Sequence, residues 1–153
     1  MRTFILLLFV VTNLLPSISA GCPDGWISYG GHCYYIGYEA LLTFPEAWLY
    51  CDIRGAYLTR LDTYSEYSFL RNFLKITKVS AGAWIGLTDQ THEGIYQWYG
   101  TNTSPTFSDW GPGQPDNLGN EDCVGIWAAI DYKWNDFQCV GYKLRPLCEK
   151  IST

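Results

Sequence analysis

The 153-residue sequence carries 15 acidic against 10 basic residues, for a formal net charge of −5, and no basic run. This excludes nucleic acid and anionic membrane surfaces as electrostatic partners. Six cysteines in so short a chain suit a disulfide-stapled extracellular domain, and the length allows one domain with a real core but not two.

The chain opens with Met1-Arg2-Thr3, followed by eight apolar residues at 4–11, the breaker Pro16 and the small residues Ser17, Ser19 and Ala20. This is the layout of a signal peptide, residues 1–20, cleaved near Ala20. The apolar run is too short to span a bilayer, which takes about 20 residues. Residues 21–153 are expected as one secreted, unanchored domain. Loss of Arg2 leaves 9 basic against 15 acidic residues, a net charge of −6. There is no internal repeat, low-complexity segment or linker.

All six cysteines, Cys22, Cys33, Cys51, Cys123, Cys139 and Cys148, follow the leader. Three disulfides are expected, and spacing alone leaves fifteen pairings open. Zinc is disfavoured, because no pair has Cys-x-x-Cys spacing and only His32 and His92 could assist. Turn residues at Pro23-Asp24-Gly25 and Gly30-Gly31, set among aromatic and β-branched residues, predict a small hairpin between Cys22 and Cys33.

Thr43-Phe44-Pro45-Glu46 is a helix start, with Thr as N-cap, Glu three residues on and Pro in the first turn. Gly55 is the expected C-terminal cap. A second start at Thr63-Tyr64-Ser65-Glu66 leads through Phe69, Leu70, Phe73 and Leu74, which share one helical face. Ala83-Trp84-Ile85-Gly86-Leu87 is short and apolar without period, as a buried strand is. Tyr96 and Trp98 continue a sheet pattern. Asn102-Thr103-Ser104, in a turn after Gly100, is a glycosylation acceptor in a secreted chain. Two early helices followed by strands give an α+β fold rather than alternating βαβ units.

Three motifs then concentrate oxygen donors within 23 residues: Gln114-Pro115-Asp116, Glu121-Asp122-Cys123 and Trp134-Asn135-Asp136. Calcium takes six to eight hard oxygen ligands at roughly 2.3–2.6 Å, so a site for it collects Asp, Glu, Asn and Gln rather than His or thiolate. A cis bond before Pro115 would turn the side chains of Gln114 and Asp116 toward one point. The carboxylates must be ionised to hold a metal, so acid should release metal and ligand together.

The three motifs, in this order and with these cysteines, resemble a C-type lectin domain of the long form and galactose type; the chain also resembles invertebrate secreted lectins and perlucin-like shell-matrix domains. The resemblance runs from Cys22 to Cys148. It implies an α+β lectin fold with two helices, antiparallel sheets and a long calcium-binding loop, and it pairs Cys22 with Cys33, Cys51 with Cys148 and Cys123 with Cys139. It further implies that Gln114, Asp116, Glu121, Asn135 and Asp136 hold one calcium ion and hydrogen-bond the sugar hydroxyls that share it. Asp89, Glu93, Asn117, Glu121 and Asp122 match an auxiliary calcium site, with Asn117 where an acidic ligand is more usual. The Gln/Asp order around Pro115 implies galactose or N-acetylgalactosamine rather than mannose.

One position departs from the galactose type: Leu118 stands where an aromatic ring is usual. Phe137, next to Asp136, is therefore a candidate wall of the sugar site, and Trp127 a second. Galactose-type glycans on microbial or cell surfaces are the expected partners, with several copies needed for avidity. The rival within the fold is a domain that binds protein or mineral matrix, or mannose. Catalysis is disfavoured, because neither histidine has a recognisable nucleophile or acid partner and no Gly-x-Ser-x-Gly motif is present.

Overall fold

The computed structural model describes residues 21–153; the expected signal peptide, residues 1–20, lies outside the described residues. Strands β1 (Ile27–Tyr29) and β2 (His32–Ile36) form the N-terminal hairpin, and the Cys22–Cys33 disulfide closes it.

Helix α1 (Phe44–Asp52) begins where Thr43, in extended conformation, donates from its backbone N–H to the Glu46 carboxylate at 2.9 Å. It turns Phe44, Ala47 and Cys51 inward. The helix stops at Asp52, short of Gly55. Gly55 sits in the next turn at φ +64°, and the Ala56 N–H reaches back to the Cys51 carbonyl. The glycine therefore redirects the chain into β3 (Tyr57–Leu58) instead of capping the last helical residue.

Helix α2 (Tyr64–Ile76) carries the full capping box: Glu66 N–H donates to Thr63 Oγ1 at 3.1 Å, and Thr63 N–H to the Glu66 carboxylate at 3.4 Å. Its fully buried apolar side chains are Tyr67, Leu70 and Leu74; Phe69 and Phe73 pack at the edge of the same core. Leu70 and Leu74 of the expected face are thus fully buried, joined by Tyr67, while Phe69 and Phe73 flank them.

The sheet runs β1-β2-β8-β4-β6-β7, with β3 joined to β8 and β5 (Gln97–Trp98) to β4. Here β4 is Ala83–Thr88, β6 Cys123–Trp127, β7 Lys133–Phe137 and β8 Arg145–Ile151. Every pairing is antiparallel except β4 with β8. All six residues of β4 are buried, as its unbroken apolar run predicts. Trp84 has no exposed surface, and its indole N–H donates to the Leu42 carbonyl at 2.7 Å. The remaining disulfides join Cys51 to Cys148 and Cys123 to Cys139, the pairing that the resemblance implies. The first ties α1 to β8, and the second closes the end of β6 where β7 gives way to the next turn.

Candidate functional site

The β6–β7 ladder sets Cys123 opposite Phe137, Val124 opposite Asp136 and Gly125 opposite Asn135. Asn135 and Asp136 are therefore strand residues, buried and fixed. The long segment between β5 and β6 is brought against them. Gly111 N–H donates to the Trp134 carbonyl at 2.8 Å, and Gln114 N–H turns back to the Gly111 carbonyl at 3.0 Å. The Gln114–Pro115 peptide bond is cis. The Asp136 carboxylate then takes the backbone N–H groups of Asp116 at 3.2 Å and Asn117 at 2.7 Å. One strand carboxylate thus fixes the loop by its backbone, which leaves the loop's own side chains free to face the site.

Oxygens of Asp116, Glu121 and Asp136 converge to within 4.8 Å of one another. Gln114 Nε2 donates to Asp116 Oδ2 at 3.1 Å, and Asn135 Nδ2 to the Asp136 carbonyl, which turns both amide oxygens the other way. Gln114 Oε1 and Asn135 Oδ1 are buried with no hydrogen-bond partner. A buried acceptor left unpaired costs roughly 1–3 kcal/mol, so two of them beside three carboxylates is an arrangement that a cation would complete. Among the described residues, no lysine or arginine forms an ion pair with any of these carboxylates.

The electrostatics agree. Burial, then the neighbouring charges of Asp136 and Asp116, push the Glu121 carboxyl up to about 7, and burial raises Asp136. Carboxylates held this close resist ionisation until a positive charge joins them.

Asp89, Glu93 and Asp122 form a second group of the same kind. Asp89 is 2% exposed, and its Oδ1 is a third buried acceptor without a partner. Asn117 lies between the two groups: its Nδ2 donates to Glu93 at 3.0 Å and its Oδ1 accepts from Glu121 N–H at 2.7 Å. The Glu121 carboxylate belongs to the first group, while its backbone leans on Asn117. Partial desolvation, then the Asp89 charge, raises Glu93. The fourth buried polar atom without a partner among the described residues is Trp134 Nε1. It is a donor in the aromatic core against Tyr67, Phe107 and Trp110, and offers nothing to a cation.

Phe137 and Trp127 both line the cavity that holds Gln114, Asp116, Glu121 and Asn135. Phe137 is only 3% exposed, however, because its ring packs edge-on against Trp84 and Trp127. Tyr142, which sequence reasoning did not single out, lines the same cavity and stacks on Phe137 at 4.4 Å between ring centres. Its only sequence signal is a large aromatic residue just after the last cysteine of the site. Asn102 is exposed in the turn after β5.

Residues 40–150 match the family described as Lectin C-type domain. The chain belongs to the C-type lectin family. Members of this family are carbohydrate-binding proteins rather than enzymes, and C-type lectin domains generally bind calcium. The chain is similar to a perlucin-like protein of Mytilus galloprovincialis, 32% identical over 83% of this chain and 81% of that one. It is also similar to an α-N-acetylgalactosamine-specific lectin of Patiria pectinifera, 34% identical over 89% of this chain and 87% of that one. Among solved structures, the mouse scavenger receptor C-type lectin carbohydrate-recognition domain superposes with a TM-score of 0.78 at 31% identity, covering 87% of this chain and all of that domain. Among the described residues, no helix is long and apolar enough to cross a membrane.

Proposed function

We propose that this C-type lectin is secreted and binds terminal galactose or N-acetylgalactosamine residues through calcium held by Gln114, Asp116, Glu121, Asn135 and Asp136. The observation that carries the reading is the pair of buried, unpaired amide oxygens, Gln114 Oε1 and Asn135 Oδ1, on residues that line one cavity with Asp116 and Glu121, next to the convergence of three carboxylates. Oxygen donors of this number and kind fit calcium, whose hard, flexible coordination shell accepts amide carbonyls and carboxylates together. When bound, the ion supplies open coordination positions for two neighbouring sugar hydroxyls. The chain's own part is to orient those hydroxyls: the Gln114 amide group can donate, while Asp116 and Glu121 can only accept.

Asp89, Glu93 and Asp122, with Asn117, form a second candidate calcium site supported by the unpaired Asp89 Oδ1. The order Gln114-Pro115-Asp116 and the similarity to a lectin specific for N-acetylgalactosamine support the sugar class. Three disulfides support an oxidising, extracellular destination for residues 21–153. The exposed Asn102 is the candidate glycan acceptor. A single shallow site binds a monosaccharide weakly, so several copies would be needed for useful avidity on a cell or microbial surface.

A glycan array probed in calcium and again in a chelator tests this. Galactose-terminated glycans should be retained in calcium and lost with the chelator. Mannose or fucose binding that needs calcium would keep the metal and overturn the sugar class. Absence of glycan binding in both conditions would overturn the reading and favour the protein- or mineral-binding role, to which the similarity to a perlucin-like protein lends support.

A further inference from the structure

The cavity at the carboxylate group has two kinds of lining. Gln114, Asp116, Glu121 and Asn135 contribute polar groups, while Leu118, Trp127, Phe137 and Tyr142 contribute apolar or aromatic ones. It measures about 290 Å³, near the lower end of ligand cavities, which start at about 300 Å³. That is room for one sugar ring rather than a chain of them.

The four apolar residues are not equivalent. Phe137 is 3% exposed and closed in by Trp84 and Trp127, so no ring face of it is free. Trp127 is half-buried, at the end of β6. Leu118 is 75% exposed on the loop but has no ring. Tyr142 is 38% exposed, and Phe137 covers one of its faces at 4.4 Å with the planes 23° apart.

Among the described residues, Tyr142 has no aromatic partner besides Phe137 and its hydroxyl makes no hydrogen bond; the part of the ring that Phe137 leaves uncovered is partly exposed and lines the cavity. Its backbone is held, because Tyr142 N–H donates to the Gln138 carbonyl at 3.2 Å and the turn is anchored by the Cys123–Cys139 disulfide. A ring buttressed on one face, partly exposed and tied by its main chain loses little entropy when a ligand is laid on it.

We infer that Tyr142 is a specificity-determining residue of this site: the part of its ring that Phe137 leaves uncovered stacks on the C–H face of the bound pyranose and supplies the aromatic platform that Leu118 does not. This rests on the sugar-binding reading above. An axial 4-hydroxyl leaves the neighbouring C–H groups of galactose together on the opposite face, and such a face gains from an aromatic ring. Aromatic packing of this kind is worth about 0.5–1.5 kcal/mol beyond area burial, which corresponds to roughly 2- to 12-fold in affinity.

The test uses the wild-type chain, Tyr142→Leu and Tyr142→Phe, titrated with calcium by calorimetry and with methyl β-galactoside by NMR. Calcium affinity should be the same in all three. Tyr142→Phe should bind the galactoside within about two-fold of wild type, and Tyr142→Leu roughly 2- to 12-fold more weakly. The bound sugar's ring protons should shift upfield and show Overhauser contacts to the Tyr142 ring, and Tyr142→Leu should abolish both signatures. Unchanged galactoside affinity in Tyr142→Leu, with calcium binding intact, would overturn the assignment alone. Should that variant not fold, the wild-type spectra decide: sugar bound without Overhauser contact to Tyr142 overturns the assignment. A wild-type chain that takes calcium and binds no sugar overturns the parent reading, and this assignment with it.

Discussion

Two acidic clusters in this molecule are both built on carboxylates and come to opposite ends. In the first, between β2, β8 and the start of α2, Glu149 is 1% and Glu66 7% exposed. Every oxygen there has a donor. Glu149 takes His32 Nδ1 and the Tyr57 hydroxyl on Oε1, and the Arg60 N–H on Oε2; Glu66 takes the Tyr34 hydroxyl on Oε1, and the Asp62 and Thr63 N–H groups on Oε2. In the second, at β7 and the long loop, the carboxylates have gathered but Gln114 Oε1 and Asn135 Oδ1 have nothing. Acidity and burial alone therefore do not mark a metal site. What separates the second cluster is its unpaired buried acceptors, which native proteins rarely leave without a partner, and these support the calcium reading proposed above.

The largest expected effect separates the two clusters by substitution. Asp136→Ala should lower calcium affinity on the order of 100-fold or more, since even changes to outer-shell partners cost 10–100-fold, and glycan binding should go with it. Glu149→Leu should leave calcium affinity within a few-fold and instead lower stability by roughly 3–5 kcal/mol, because His32, Tyr57 and the Arg60 N–H lose a buried partner together. Calcium calorimetry and urea denaturation read the two outcomes. A Glu149→Leu chain that loses calcium as Asp136→Ala does would erase the distinction.

Removing the metal comes next. A ligand that binds only the folded chain stabilises it by about 2.7 kcal/mol at a hundredfold excess over its Kd, so chelation should lower Tm in scanning calorimetry. In Asp136→Ala the calcium-dependent rise in Tm should shrink to what the separate Asp89, Glu93 and Asp122 group supplies. In Glu149→Leu the calcium-dependent increment should persist on a lower baseline.

How much of this contrast was legible beforehand follows from the range of each interaction. The helix starts at Thr43 and Thr63 were readable because a capping box spans only four residues. The buried strand at Ala83 was readable from its unbroken apolar run. The oxygen-rich motifs were readable as a gathering of donors because residue type is local information, and the structure brings Asp116, Glu121 and Asp136 together. The hidden features all depend on distant partners. Glu66 reads locally as a cap, yet it also takes the Tyr34 hydroxyl from β2, 32 residues away. The disulfide pairing could not be chosen from spacing and came through the resemblance. Phe137 sits beside Asp136 in sequence, but the β6–β7 ladder and the Trp84 ring bury it. Tyr142, further along, emerges beside it. Adjacency in sequence put Phe137 at the cavity lining but could not show that Trp84 and Trp127 would close in its ring.

Acid titration sharpens the comparison further. Glu121 is pushed up to about 7 in the folded, metal-free chain, well above the usual carboxylate value of about 4.3 in an unfolded one. The folded chain then binds more protons than the unfolded chain between those values, so this group's contribution to stability is full below about 4.3 and is lost as pH rises through about 7. Burial raises Glu149 as well, with the same sign. Calcium should discriminate between them, since it needs Glu121 ionised and does not touch Glu149. The calcium-induced gain in Tm should therefore grow from pH 5 to pH 8. Glu149→Gln should keep this growth, and Glu121→Gln should flatten it. A gain independent of pH in the wild-type chain would mean that Glu121 is not a ligand.

The smallest effect concerns the second carboxylate group, where Asn117 stands among Asp89, Glu93 and Asp122. Its amide is neutral and links the two groups, donating to Glu93 and accepting from Glu121 N–H. Asn117→Asp removes the Glu93 hydrogen bond and sets a fourth negative charge beside a carboxyl already raised by burial and by Asp89. In chelator the variant should therefore melt slightly lower, because like-charge repulsion near the surface is weak and screened. In calcium the sign should reverse, because an added carboxylate raises the charge offered to the ion, and the second binding event should tighten several-fold while galactoside affinity stays within two-fold. Thermal unfolding of wild type and Asn117→Asp, each in chelator and in calcium, gives four numbers. If the shift is negative in both conditions, Asp89, Glu93 and Asp122 are a solvated acidic turn rather than a metal site, and the unpaired Asp89 Oδ1 finds its partner in water.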